Sequence, residues 1–390
     1  MLSTFHGYIR ADGSVGTRNH VLVLPLSPAV NRVAMAAVRE ESGAVGIQVS
    51  QDYGPDLEGW TLAVRTIAGW VNHPNVYRAI LLGATPADPL LTAVTELLPA
   101  TAPYDVITLA EAGGSRRTIE AVLHWLGDWN RAKNALSRKL APLSALVLGT
   151  ECGGSDACSG LSANPALGRV SDRLVDAGAR VILAETTELI GAEHLLAQRA
   201  ITPAVRQRLL ATVRHAESAA MRMGVDFRGA QPSPGNMAGG ITTIEEKSLG
   251  CVHKGGSSPL VDVIDYAERP RLPGLTVMDT PGHDVMQLVG MAAGGAQIIV
   301  FTTGRGTPTG SAIVPVIKVS TRTDLKMHLD DLIDLDAGPI IDGELSVEQV
   351  ADQLFRKIIA VANGETVAAE RGRDWEFGIF PGWGEGRAVQ

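Results

Sequence analysis

Four apolar runs in the second half of the sequence break abruptly into polar, glycine-rich segments. Leu146-Val147-Leu148-Gly149 leads into Thr150-Glu151-Cys152-Gly153-Gly154-Ser155-Asp156, and Val181-Ile182-Leu183-Ala184 leads into Glu185-Thr186-Thr187-Glu188. Thr276-Val277-Met278 leads into Asp279-Thr280-Pro281-Gly282-His283-Asp284, and Ile299-Val300-Phe301 into Thr302-Thr303-Gly304-Arg305-Gly306. In an open parallel sheet the carboxyl ends of the strands share one edge and ligands bind in the crevice there, so these loops are expected to converge. Carboxylates, a thiol, a guanidinium, hydroxyls and glycine backbone in one cleft suit a small anionic, polyhydroxylated or metal-chelating molecule. Most of these residues also have a plainer reading. Cys152 could be a buried small hydrophobe, Glu185 and Asp279 helix caps, and Glu193-His194 the solvated face of a helix. Arg305 is harder to dismiss, because its flanking glycines admit a ligand to the backbone while the guanidinium forks onto a carboxylate.

The elements that must position these groups alternate. Strands are predicted at 20–25, 45–49, 79–83, 106–110, 145–149, 180–184, 275–278, 297–302 and 313–319, mostly as continuous apolar runs typical of strands covered on both faces. The fold class is therefore α/β: two α/β domains with largely parallel sheets and Rossmann-like layering, the site loops lying at strand C-terminal ends. The segment 131–142 contains no strong strand and places the domain boundary there, giving 1–135 and a catalytic 136–390. Ser346 with Gln349 makes a capping box before the stripe Val347, Val350, Leu354, Ile358 and Val361, which ends at Gly364. The stretch 192–223 should divide into two helices at Thr202-Pro203. The tail from Arg371 carries Trp375, Phe377, Phe380 and Trp383 among Gly378, Gly382, Gly384 and Gly386, and is too aromatic for a disordered end.

Composition removes several classes of function. The 390 residues carry a net charge of −8 with no basic run, which argues against nucleic acid as a partner. No run approaches a membrane span and residues 1–14 lack a secretory apolar core, so no membrane partner and a cytoplasmic location are expected. The three cysteines do not form a disulfide framework, and the spacing of Cys152 to Cys158 matches no zinc pattern. Gly304-Arg305-Gly306 lacks the third glycine of a dinucleotide loop, Lys254-Gly255-Gly256-Ser257-Ser258 lacks P-loop order, and no serine sits in a nucleophile elbow. Gly16-Thr17-Arg18-Asn19 precedes a strand and could be a simple turn. Glu246-Lys247, at a helix start after the Gly239-Gly240 turn, could be an ordinary surface pair.

Gly7-Tyr8, Gly16-Thr17-Arg18-Asn19, Cys152-Gly153-Gly154-Ser155-Asp156 and Ala163-Asn164-Pro165-Ala166 together resemble the altronate/galactarate dehydratase family of sugar-acid lyases. The resemblance continues through Gly191 to Leu196, Pro234-Gly235-Asn236, Glu246 to Gly250, Met278 to Pro281 and Phe301 to Pro308, so it covers nearly the whole chain. It implies loss of water from an aldonate or aldarate to give a 2-keto-3-deoxy acid, assisted by a divalent metal, Fe²⁺ with Mn²⁺ as the alternative. The acid–base candidates are then Cys152, Asp156, Glu185, His194, Glu246 and Lys247, with roles left open. Cys152, Glu185 and His194 are the metal-ligand candidates, and Asn19, Ser155, Asp279, Thr280, Thr302, Thr303 and Arg305 the substrate-binding ones. The resemblance also implies a missing small N-terminal domain, hence a separate small subunit as partner, and a homo-oligomer is expected. A sulfolactate sulfo-lyase large subunit, which expels sulfite, and a non-catalytic sugar-acid-binding subunit are the alternative readings.

Overall fold

The structure, a computed structural model, describes residues 3–41, 43–55 and 59–384. Strands β1 (Thr4–Ile9) and β2 (Val15–Gly16) open the chain, and β3 (His20–Pro25), β4 (Ala44–Gly46), β5 (Val76–Gly83) and β6 (Tyr104–Thr108) then alternate with helices. After β7 (Lys139–Pro142) come β8 (Val147–Cys152), β9 (Arg180–Leu183), β10 (Leu260–Ile264), β11 (Gly274–Met278), β12 (Ile298–Thr303), β13 (Val316–Ser320) and β14 (Leu335–Asp336). A four-stranded sheet has the order β4-β3-β5-β6 and a seven-stranded one β10-β11-β9-β8-β12-β13-β14; both are parallel throughout. The α/β class with parallel sheets is thus observed. A small antiparallel sheet, β2-β1-β7, joins the start of the chain to the segment 139–142. The sequence pattern offered no strand in 131–142, because Lys139-Leu140-Ala141-Pro142 has one buried residue and pairs with a partner more than 130 positions away.

Five layers result. Val21 and Val23 of β3 pack with Val33, Ala37, Val122 and Leu126 of the helices Asn31–Glu40 and Ser115–Asn134. Leu22 and Leu24 point the other way, into a core shared with Ile67, Trp70, Leu90, Val94, Leu288, Val289, Ile299 and Phe301. The helices Trp60–Val71 and Asp284–Ala293 meet there, sandwiched between the two sheets, and the Trp70 indole donates to the Val289 carbonyl at 3.0 Å. On the far face of the large sheet, Leu148, Leu183 and Val300 bury against Leu167, Val170, Leu354 and Ile358. Coverage on both faces explains why these strands read as unbroken apolar runs rather than alternating ones.

The helix Val347–Ala362 has its capping box, with Gln349 N donating to Ser346 Oγ at 3.2 Å. Thr202 caps the helix Pro203–Arg222, separate from Glu193–Gln198. In the aromatic tail Phe377 stacks edge-on against Trp70, and Phe380 against Tyr266; Gly386 lies outside the described residues. Strands β8 and β12 extend beyond their apolar cores, because pairing continues through Thr302↔Cys152 while the polar side chains collect at the sheet edge.

Gly16-Thr17-Arg18-Asn19 is a structural knot rather than a turn. The Arg18 guanidinium forks onto Glu370 at 2.6 and 2.8 Å and also donates to the carbonyls of Thr17, Val361 and Glu365. Arg18→Lys keeps the charge but not the fork. It is expected to cost about 1.5–3 kcal/mol in urea unfolding, the value of a charge-assisted hydrogen bond; an unchanged midpoint would show the knot to be dispensable.

Candidate functional site

The four converging strands are the central neighbours β11-β9-β8-β12. The chain runs from β8 toward β9 on one side and returns to β12 on the other, so the edge between β8 and β12 is a topological switch point, where parallel sheets bind ligands. Cys152 ends β8, and Thr303 ends β12. Gly153 N donates to the Thr302 carbonyl and Gly304 N to that of Gly154, each at 3.2 Å, lacing the two loops together.

Glu185 follows β9 in a left-handed backbone conformation, φ 73°, rare for a residue with a Cβ and costing about 1–3 kcal/mol. The reversal turns its carboxylate back under Cys152. Glu185 Oε1 accepts from Cys152 N at 2.6 Å; Oε2 accepts from Cys251 Sγ at 2.9 Å and pairs with the fully buried Lys254 ammonium. Burial by itself would raise the Glu185 pKa, but Lys254 and the hydrogen bonds from Cys251 and Cys152 outweigh it and hold the carboxyl below its ordinary value. One helical turn on, Glu188 lies 3.8 Å from Cys152 Sγ and pairs with Lys247 at 2.8 Å. Burial and the nearby Glu185 charge push the Glu188 carboxyl up, while Glu188 draws the Lys247 ammonium above its usual value despite burial. Cys152, Glu185 and Glu188 each offer a ligand atom, all within 4.8 Å of one another and all buried. A soft thiolate beside two hard carboxylates is a donor set for a divalent transition metal, so the residues present fit one.

On the other face of β8, Glu151 is fully buried, and among the described residues neither of its carboxyl oxygens is hydrogen-bonded. Burial, reinforced by Glu185 and Asp284, drives its pKa well above the ordinary carboxyl value.

Beyond Cys152 the adjoining loops are polar. Asp156 accepts from Thr321 Oγ1 at 2.9 Å and Ser159 Oγ at 3.1 Å, with Arg322 Nε at 3.6 Å. A methyl group at Gly304 would collide with the Asp156 carboxyl, and one at Gly235 with the Arg305 guanidinium, so both loops approach as closely as glycine allows. Arg305 is exposed and takes no hydrogen bond or ion pair among the described residues. Ser155 is buried and its carbonyl accepts from Asn236 Nδ2; Thr302 Oγ1 donates to Asn164 Oδ1, and Thr303 Oγ1 accepts from Gly306 N. Asp279 and Thr280 hold the neighbouring loop: Thr186 Oγ1 donates to Asp279 at 2.8 Å, and Glu185 N to Thr280 Oγ1 at 2.6 Å.

The sequence-predicted residues therefore divide. Cys152, Glu185 and Lys247 come together, and Asp156, Ser155, Thr302, Thr303 and Arg305 surround the adjoining loops. His194 is exposed on the helix Glu193–Gln198 and outside the donor group. Glu246 is exposed too, accepting from Thr242 N and Oγ1 at the start of the helix Ile244–His253. Asn19 lies before β3, bound to Arg10 and to the Lys133 carbonyl, away from the carboxyl ends of the site strands. Sequence reasoning missed Glu188, Cys251, Lys254 and Glu151. A signal existed: Lys247, Cys251 and Lys254 recur at i, i+4 and i+7, one face of a helix, whereas Glu246 sits a hundred degrees around it.

The donor group lies within a stretch, residues 143–383, that matches the family model described as D-galactarate/Altronate dehydratase, C-terminal. Residues 7–134 match D-galactarate dehydratase/Altronate hydrolase, second domain. The chain belongs to the galactarate/altronate dehydratase family. It is 34% identical to altronate dehydratase of Bacillus subtilis (strain 168), over 97% of this chain and 77% of that protein. It is 36% identical to galactarate dehydratase (L-threo-forming) of Escherichia coli (strain K12), over 93% of this chain and 73% of that protein. A third relative, the (2R)-sulfolactate sulfo-lyase subunit beta of Chromohalobacter salexigens, is 34% identical over 94% of each chain. Among the described residues no helix is long and apolar enough to cross a membrane.

Proposed function

We propose that this chain is a hydro-lyase that removes water from an aldonate or aldarate, such as altronate or galactarate, to give a 2-keto-3-deoxy acid. The observation that carries the reading is the buried Cys152, Glu185 and Glu188 donor set beside Lys247, with Arg305, unpaired among the described residues, against Gly154 of the adjoining loop. Cys152, Glu185 and Glu188 would hold Fe²⁺ or Mn²⁺, which when bound supplies Lewis-acid stabilisation of charge developing next to the substrate carboxylate. Lys254 offsets the Glu185 charge from behind and fixes that carboxylate's orientation. Lys247, half-buried between Glu188 and Gln231 Oε1 at 3.1 Å, holds a proton at the edge of the cleft and is the acid–base group best placed to assist loss of the β-hydroxyl. Arg305 clamps a substrate carboxylate, and Asp156, Ser155 and Thr303 shape the adjoining loops.

The third relative favours a second reading. The sulfo-lyase subunit beta is 34% identical to this chain, as is the altronate dehydratase of Bacillus subtilis, so expulsion of sulfite by the same site, with a partner subunit, is the competing assignment. Incubation with Fe²⁺ and a panel of aldonates, aldarates and sulfolactate, with and without any small subunit encoded beside it, separates them. Formation of 2-keto-3-deoxy acid supports the dehydratase, sulfite release the sulfo-lyase, and neither product under any condition removes both.

Arg305→Lys tests the carboxylate clamp. Because Arg305 makes no internal pair among the described residues, the variant should keep the wild-type melting temperature while kcat/KM falls by roughly 10- to 150-fold, the loss of about 1.5–3 kcal/mol. Equal kinetics in the two folded proteins would take Arg305 out of the site.

A further inference from the structure

Among the described residues the aromatic tail reaches the candidate site through the indole of Trp383. Trp383 Nε1 donates to both oxygens of Asp279, at 3.1 and 3.0 Å. Asp279 Oδ1 also accepts from Thr186 Oγ1 at 2.8 Å, and that hydroxyl accepts in turn from Thr280 N at 3.0 Å. Thr186 N donates to the Thr280 carbonyl at 3.2 Å, and Glu185 N to Thr280 Oγ1 at 2.6 Å. The clamped dipeptide is Glu185-Thr186, whose first residue has the strained backbone of the donor group. A left-handed glutamate persists only when its surroundings over-determine it, and among the described residues Trp383 is the contributor supplied from the far end of the chain. The indole is held in place independently: its ring packs edge-on against Phe380, whose ring packs in turn against Tyr266.

We infer that Trp383 is a positioning residue which, through Asp279 and Thr186, fixes the Glu185–Glu188 loop against Cys152. An indole N–H is a donor only, so it locks the Asp279 carboxylate in the orientation that Thr186 reads. Outer partners of this kind typically change metal affinity by about 10- to 100-fold. The consequence for metal binding rests on the metal-assisted reading above; the consequence for loop position does not.

Trp383→Phe keeps the ring and removes the donor. In metal-free protein, Cys152 and Cys251 are shielded by the Glu185 carboxylate, so their alkylation by iodoacetamide reports local opening of this loop, with the half-buried Cys158 as internal reference. The variant should alkylate both about tenfold faster relative to Cys158, at an unchanged melting temperature. Thr186→Val should do the same, and the double variant should add little further, because both break one chain of contacts. In a Co²⁺ titration followed by the thiolate charge-transfer band, Trp383→Phe should weaken binding about tenfold. Wild-type labelling rates in Trp383→Phe, or rates that rise equally at Cys158, overturn the inference. A wild-type protein that gives no Co²⁺ band overturns the metal reading instead, and the labelling ratio still decides the role of Trp383.

Discussion

Glu188→Gln is expected to lower turnover by roughly a thousandfold while leaving the metal-free fold intact. The substitution keeps the shape but replaces one of the two carboxylate donors with a neutral amide, and Lewis-acid assistance is worth several kcal/mol, where each 1.36 kcal/mol is tenfold in rate. The fold should tolerate it because Glu188 lies at the edge of the buried cluster and its partner Lys247 already has Gln231 as an acceptor. In parallel, a strong chelator should abolish wild-type turnover and Fe²⁺ or Mn²⁺ should restore it. Metal content measured on the two purified proteins completes the comparison. Full activity of wild type in excess chelator, or a Glu188→Gln protein with wild-type metal content and rate, would falsify the assignment of this cluster as the metal centre.

Lys254→Met should be the most destabilising single change in the site. The Lys254 and Glu185 side chains are both fully buried, and removing one member of a buried ion pair strands the other, at a cost of about 3–5 kcal/mol. The double variant Glu185→Gln/Lys254→Met should recover more than half of that loss, since the orphaned charge is gone, yet remain inactive. The pH dependence follows from the same pair. In wild type the Glu185 pKa is lowered, so its contribution is present above the unfolded carboxylate value of about 4.3 and is lost as pH falls through the folded value. The Lys254 pKa is raised because its anionic neighbours outweigh burial, so its contribution is present below about 10.5 and is lost only as pH rises through the folded value. Together they give a plateau across neutral pH. Without Lys254 only the hydrogen bonds from Cys251 and Cys152 oppose burial at the Glu185 carboxyl, its folded pKa rises, and stability should decline as pH climbs above the unfolded carboxylate value of about 4.3. Urea unfolding in chelator at several pH values reads both effects. A flat profile and a loss below about 1 kcal/mol for Lys254→Met would show that the pair is solvated or rearranged.

Much of this protein is legible in the sequence for a physical reason that applies strand by strand. Apolar runs such as Val181 to Ala184, four to six residues long and β-branched, read as strands buried on both faces, and where such a run breaks into glycine and polar residues the carboxyl edge of a parallel sheet is expected. That reasoning located Cys152, Glu185 and the Arg305 loop. The Ser346 capping box and the Thr202-Pro203 break were equally local. Other features depend on partners distant in sequence. Lys139 to Pro142 is a strand because Thr4 to Gly7 lies beside it, and nothing in its own residues announces that. Lys254 is a buried countercharge because Glu185 turns back beneath Cys152, a choice made by a left-handed φ that its sequence does not favour. His194 and Glu246 have the right chemistry but project from helix faces that the packing leaves in solvent, whereas Lys247, Cys251 and Lys254 project from the face that meets the Glu185–Glu188 loop. Residue types and strand ends are set by local chemistry; which side chains share a cavity is set by packing, because a rotation of a hundred degrees about a helix axis separates a buried ammonium from a solvated carboxylate.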